Sequence, residues 1–363
     1  MNTSENPNQS SDTRLPLLGM TADELCRLAL ENGLKAFHGK QMARWLYNAR
    51  VCDIDAMTDL PKAARRRLAE AYTVGRQQHK MAARSSDGTV KYLFEGCGGR
   101  DVEAVFIPDR DRATLCVSSQ AGCRMDCRFC MTGRQGFHGN LTTAQIINQV
   151  LSVDDSDKLT NLVFMGMGEP TDNLEAVMKA IEILTAPWGL AWSPKRITLS
   201  TIGNIPALRT LMDKTRVHLA LSLHSPFAEE RSRLMPVEKP WPARKVLETL
   251  STGDFAHQRR LSLEYIVFDG LNDDARHSEA LTTLLRDTGL DKTVRVNLIR
   301  FHAIPGAPFR SADEQRMVRF RDRLNAAGIT ATIRASRGED IMAACGQLAG
   351  QQNNSHKQES TLP

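Results

Sequence analysis

Apolar residues recur at three- and four-residue spacing between positions 18 and 78, and from position 113 onward short β-branched runs alternate with helical stretches. The first pattern predicts helices in "TADELCRLALENG", "HGKQMARWLYNAR" and "LPKAARRRLAEAY", the last entered through a proline suited to a first turn. Between 79 and 112, "KMAARSSDGTVKYLFEG" and "RDVEAVFIPD" alternate around an Asp87-Gly88 turn and predict a small sheet. The second pattern predicts strands in "ATLCVSS", "NLVFMG", "RITLST", "VHLALSLH", "LSLEYIVFDG", "VRVNLIRF" and "TATIRAS", in the order expected of parallel β-α units. Residues 1–17 and 351–363 lack periodicity and are expected to be disordered.

The ends of these runs carry the first functional signal. Ser118 and Ser119, Gly168 and Glu169, Ser200 and Thr201, Ser222 and His224, and Asp269 close their strands, and Asn297 lies within its own. An apolar core would choose none of them. In β/α barrels the catalytic face lies at the carboxyl ends of the strands, so the expected class is α/β. The architecture is a partial (β/α) TIM-type barrel over 113–350, preceded by a small helical domain over 18–78 and a short β extension over 79–112. A doubly wound sheet is the rival, but it would place a Gly-rich dinucleotide fingerprint after the first strand, where this chain has a cysteine loop.

With 41% apolar residues in 363, the chain can bury a core, and no stretch is long and apolar enough to span a bilayer. The polar start is no signal peptide, so cytoplasm is expected. Eight cysteines are too sparse for a disulfide scaffold at this length, which leaves reduced thiols, metal ligands or redox catalysis. A net charge of +5 and a pI near 8.8 permit a nucleic-acid partner without requiring one. Lys62 and Arg65 to Arg67 read either as a solvated helix face or as phosphate contacts.

Three cysteines fall in "GCRMDCRFCMTG", at 123, 127 and 130. A structural zinc site wants four ligands, and the nearest further candidate, His138, has no paired ligand beside it. A disulfide would leave one thiol odd. A cubane iron-sulfur cluster held by three thiolates keeps one iron open, and that iron can chelate the amino and carboxylate groups of S-adenosylmethionine (SAM), whose cleavage then yields a 5'-deoxyadenosyl radical.

Cys123, Cys127 and Cys130 at this spacing resemble the signature of radical SAM enzymes, and "MGMGEP" looks like their Gly-Glu segment. From about 20 to 350 the chain is similar to the RlmN/Cfr class of RNA methyltransferases, through "KQMARWLY", "DRATLCVSSQAGC", "QGFHGNLT", "ITLSTIG", "LALSLHSP", "VRVNLI", "PGAPF" and "RGEDIMAACGQLAG". The resemblance implies a 4Fe-4S cluster on the three cysteines, and SAM contacts at Gly168, Glu169, Ser200, Ser222, Leu223, His224 and Asn297.

It also implies roles for residues that would otherwise pass as packing thiols, Cys116 and Cys345, and as a surface glutamate, Glu103. Cys345 accepts a methyl group, and the methylene radical made from it adds to carbon 2 of an adenine, with carbon 8 or an adenosine of a different RNA as the alternative target of a divergent member. Glu103 removes a proton from the adduct, and Cys116 attacks the Cys345 sulfur to release the methylated base. The implied partners are 23S ribosomal RNA, tRNA and an electron donor such as flavodoxin or ferredoxin, and the implied state is a monomer. The chain departs from the class at "MPVE" (235–238), where "MPIN" is usual, and at "NLIRFHAIPG" (297–306).

Overall fold

The structure is a computed structural model, described over residues 13–255 and 260–350. Of the two ends expected to be disordered, 1–12 and 351–363 lie outside the described residues. Residues 13–17 correct the expectation. β1 (Leu15–Pro16) pairs in parallel with β2 (Tyr72–Thr73), and Leu17 and Leu18 bury at 0% and 2% exposure. Two adjacent leucines bury enough apolar surface to anchor a segment whose neighbours are polar.

The three expected helices form. Ala22–Glu31 begins in a capping box, in which Thr21 and Glu24 satisfy each other's amides. Phe37–Ala43 continues into a π-helical turn, Arg44–Asn48. Lys62–Ala71 has Pro61 as its N-cap, one position before the expected first turn. The arginine run divides in function. Arg65 is half-buried, donates to the Leu60 carbonyl at 2.9 Å and faces Asp55 at 3.6 Å. Arg67 donates to the Asn32 carbonyl at 3.1 Å. Lys62 and Arg66 are exposed.

The expected small sheet is continuous with the barrel sheet. β3 (Met81–Arg84), β4 (Val90–Glu95), β5 (Asp101–Asp109) and β6 (Arg112–Cys116) form an antiparallel meander. A small pair, β7 (Gln120–Gly122) with β8 (Phe137–Asn140), brackets the cysteine loop. β6 then pairs in parallel with β9 (Asn161–Phe164), followed by β10 (Ile197–Thr201), β11 (His218–Ser222), β12 (Leu261–Val267), β13 (Val294–Arg300) and β14 (Thr330–Ile333). Spatial order equals chain order from β9 to β14, as one-step β-α crossovers require.

These strands are the predicted seven. Their carboxyl ends face one side and carry Ser118, Glu169, Ser200 and Ser222, with Asn297 inside β13. Asp269 does not join that group, because it pairs with Arg316 at 3.0 Å on the rim. No helix among the described residues is long and apolar enough to cross a membrane.

Candidate active site

The cysteine loop leaves β7 through Gly122, whose φ is +73° and whose added Cβ would lie 1.9 Å from the Gly136 carbonyl oxygen. Glycine is required there. Asp126 turns the loop with φ 47°, and Cys130 enters the short helix Met131–Arg134. The amides of Thr132 and Gly133 point at the Cys130 sulfur. Burial first, then mutual repulsion, pushes the Cys127 thiol well above its ordinary range. Burial also lifts Cys123 to about 12 and raises Cys130. Burial this deep disfavours free thiolates, so a cationic group bound there would be what keeps these sulfurs ionised.

Three thiols are one short of the four ligands of a structural zinc and match a cubane that keeps one iron open. No three His, Cys, Asp or Glu side chains among the described residues are close enough to hold one metal ion. Sulfurs sharing one zinc stand about 3.8 Å apart, as bonds of 2.3 Å in a tetrahedron require. Thiolates on three different irons stand further apart. Two buried polar atoms beside the loop, Ser119 Oγ and Gln347 Oε1, also have no hydrogen-bond partner.

The "MGMGEP" segment lies against this loop. Gly168 has φ +97°, and a Cβ there would sit 2.5 Å from the Gln120 side chain, whose Oε1 accepts the Glu169 amide at 2.8 Å. The Glu169 carboxylate is buried and accepts from the Thr171 amide at 3.1 Å, the Thr171 hydroxyl at 2.5 Å and the Ile202 amide at 3.1 Å. Burial raises its pKa despite these bonds. Gly168→Ala is expected to lower stability by about 2 to 5 kcal/mol, from a left-handed backbone plus overpacking. Denaturant unfolding of the two proteins measures it.

Ser222, Glu264, Asn297 and Thr332 are register partners across β11 to β14. Asn297 donates to Glu264 at 2.8 Å and accepts from Thr332 at 3.2 Å, while Ser262 donates to Glu264 at 2.8 Å. Burial raises the Glu264 pKa. Sequence reasoning missed this residue, although a lone carboxylate inside the apolar run "LSLEYIVF" is a visible signal. His224 sits beside Leu223 at φ 60°. Its Nδ1 accepts the Ile266 amide at 3.0 Å, its ring packs edge-on against Phe129 of the cysteine loop at 4.7 Å, and burial with Arg231 nearby lowers its pKa to about 3. The imidazole is therefore neutral, with its proton on Nε2.

Cys116 ends β6 and is buried, and burial followed by the nearby Cys345 sulfur raises its pKa. Cys345 is exposed, yet the surrounding protein and then Glu264 raise its thiol as well. Cys345 is thus not a fully buried packing thiol, and it lies close enough to Cys116 to raise that thiol. Glu103 is no surface residue either, at 5% exposure. Its Oε2 accepts the amides of Ala349 and Gly350 at 2.9 and 3.3 Å, and Lys91 stands 3.1 Å from Oε1.

The segment carrying Cys345 is held on two sides. Asp340 accepts from Ser85 and Ser86 at 2.5 and 3.1 Å, and Asp87 accepts the Gly338 amide at 3.0 Å. From the cysteine loop, Met131 donates to the Gly346 carbonyl at 2.7 Å and Thr132 to the Leu348 carbonyl at 2.6 Å. A wide cleft of about 1210 Å³ lies elsewhere, between Thr21–Arg27 and the outer helices, and touches none of these residues.

A three-thiol loop at the open end of a partial barrel is the arrangement of the radical SAM superfamily, whose sequence profile matches residues 117–280. The profile of the ribosomal RNA large subunit methyltransferase N-terminal domain matches residues 15–74. Over 97% of this chain and 98% of the relative, the sequence is 53% identical to the probable dual-specificity RNA methyltransferase RlmN of Porphyromonas gingivalis. It is 40% identical to the dual-specificity RNA methyltransferase RlmN of Alkalilimnicola ehrlichii, over 95% of this chain and 97% of that one. A radical SAM methyltransferase from Sphaerobacter thermophilus superposes with a TM-score of 0.85 at 38% identity, covering 92% of this chain and 99% of that structure. The chain belongs to the RlmN family of radical SAM RNA methyltransferases. As in that family, its cofactors are a 4Fe-4S cluster and SAM.

Proposed function

We propose that this protein methylates carbon 2 of an adenosine in 23S ribosomal RNA and in tRNA, with Cys345 as methyl carrier, Glu103 as base and Cys116 as resolving thiol. The observation that carries the reading is the pair Cys116 and Cys345, one buried and one exposed, close enough for the Cys345 sulfur to raise the Cys116 thiol, with the Cys345 segment tied to the three-cysteine loop through Met131 and Gly346. Cys123, Cys127 and Cys130 would hold the cluster. Gly168, Glu169, Ser200, Ser222, Leu223, His224 and Asn297 would hold SAM. When bound, the two cofactors supply a methyl group and a means of taking a hydrogen atom from it. Ring carbon 2 offers no acidity to ordinary methyl transfer, which is why a sulfur-borne carbon is needed.

The chain's own groups then divide the work. Cys345 carries the carbon on its sulfur and bonds it to the base as a radical, Glu103 takes the proton from the adduct, and the adduct's one unpaired electron would pass back to the oxidised cluster. Cys116 attacks the Cys345 sulfur, and the carbon-sulfur bond breaks with its electron pair left on the carbon, which a proton completes to a methyl group. The protein would act in the cytoplasm as a monomer, reduced by a flavodoxin or ferredoxin.

Nucleoside mass spectrometry of RNA from cells with and without the gene tests this. The expected result is loss of 2-methyladenosine from 23S RNA on deletion, and unchanged levels would overturn it. Exposed Lys62 and Arg66 are the proposed phosphate contacts. Replacing both with alanine should weaken RNA binding at every sequence and reduce the salt slope by about 1 per lost contact. Affinity measured across a salt series would show the change, while SAM cleavage stays intact.

A further inference from the structure

Arg231 heads the fully buried large side chains, at 0% exposure, and none of the chemistry above uses it. It projects from the helix Ala228–Leu234. Nε donates to the Leu223 carbonyl at 3.1 Å, and Nη2 donates to the Ser222 and Ile202 carbonyls at 3.1 and 3.2 Å. One planar fork thus fixes the ends of β10 and β11, where the proposed SAM contacts lie. A lysine has no such geometry. The same helix is tied to the cysteine loop, because the Arg128 amide donates to the Leu234 carbonyl at 3.0 Å. Cys127 packs in one apolar cluster with Ile202, Leu234, Met235 and Val237.

A buried cation at this place has two opposed effects. Its donors shape the loop ends, but its charge favours the more negative, reduced state of a cluster on Cys127, and so raises the reduction potential. Cleaving a sulfonium calls for a cluster that gives its electron up readily. Glu238 answers this conflict: it is 7% exposed, and its Oε2 accepts from Arg231 Nη1 and from the Ala243 amide, the latter at 3.0 Å. Position 238 is also where "MPVE" departs from the "MPIN" of the class.

We propose that Arg231 and Glu238 act as a positioning pair, in which Arg231 holds the Ile202, Ser222 and Leu223 carbonyls and Glu238 cancels its charge so that the cluster keeps a low potential. The inference rests on the cluster reading of residues 123–130. The test is an EPR-monitored redox titration of the anaerobically reconstituted full chain, with SAM affinity measured by equilibrium dialysis. Glu238→Gln keeps the shape and leaves the arginine charge alone, so the potential should rise with SAM affinity little changed. Arg231→Met leaves the glutamate charge alone, so the potential should fall while SAM affinity drops. The double variant, Arg231→Met with Glu238→Met, should return the potential toward the native value without restoring affinity.

If Glu238→Gln fails to hold a cluster, the sign of the shift in Arg231→Met decides. Potentials that do not move, or that move in the same direction in both single variants, overturn the proposal. A native protein that binds no iron would instead overturn the cluster reading itself.

Discussion

Cys116→Ala is expected to arrest the reaction with RNA covalently joined to the protein. The variant keeps Cys345 and so should form the adduct, but it lacks the sulfur that displaces it. A protein-RNA conjugate that survives denaturing electrophoresis and disappears on nuclease treatment is the measurement. Cys345→Ala should form no conjugate, and turnover in either variant should fall by a factor on the order of 10⁴ or more, as when a nucleophile is removed from a unit that acts together. The pH dependence has a definite sign. Burial raises the Cys116 thiol pKa, and only the thiolate attacks. Below that raised pKa the thiol form dominates, so release of the conjugate in the native enzyme should quicken as pH rises beyond the ordinary thiol range. A conjugate formed by Cys345→Ala would remove Cys345 from its role.

The second large effect belongs to Cys127. Cys127→Ala should give a colourless protein with little iron and no SAM cleavage, because two thiolates remain where three are needed. The fold should persist. Cys127 lies at 8% exposure among Phe129, Leu234 and Met235, and truncating a small side chain there costs about 1 kcal/mol. Absorption spectra and iron content separate the loss of cofactor from the loss of fold, and full iron loading of the variant would strike Cys127 from the ligand set.

The sequence made the barrel legible because its strands are short β-branched runs that stop at residues a core rejects. Ser222 announced the functional face in this way, and the structure sets it in one register row with Glu264 and the mid-strand Asn297. Glu264 itself was overlooked because attention to strand ends passes over a carboxylate in mid-strand. Arg65 and Arg67 looked like equivalent members of a basic run, yet their carbonyl partners lie 5 and 35 residues away in the chain. Helical period cannot encode such pairings. Glu103 was misjudged without the family for a similar reason. Its burial is created by a segment some 246 residues further on, and nothing local to β5 signals that cover.

That distance bears on how the protein comes into being. A chain emerging from the ribosome can lay β9 to β14 side by side, each strand meeting the neighbour made just before it. The segment bearing Cys345 has no such neighbour. It must return to Ser85, Asp87 and Glu103 across 246 to 255 residues, and those partners are synthesised in the first third of the chain. Assembly of the site therefore requires that nearly the whole chain has been made. A chain interrupted after β14 should still contain the cluster loop and every proposed SAM contact, while lacking the one sulfur that carries carbon to RNA.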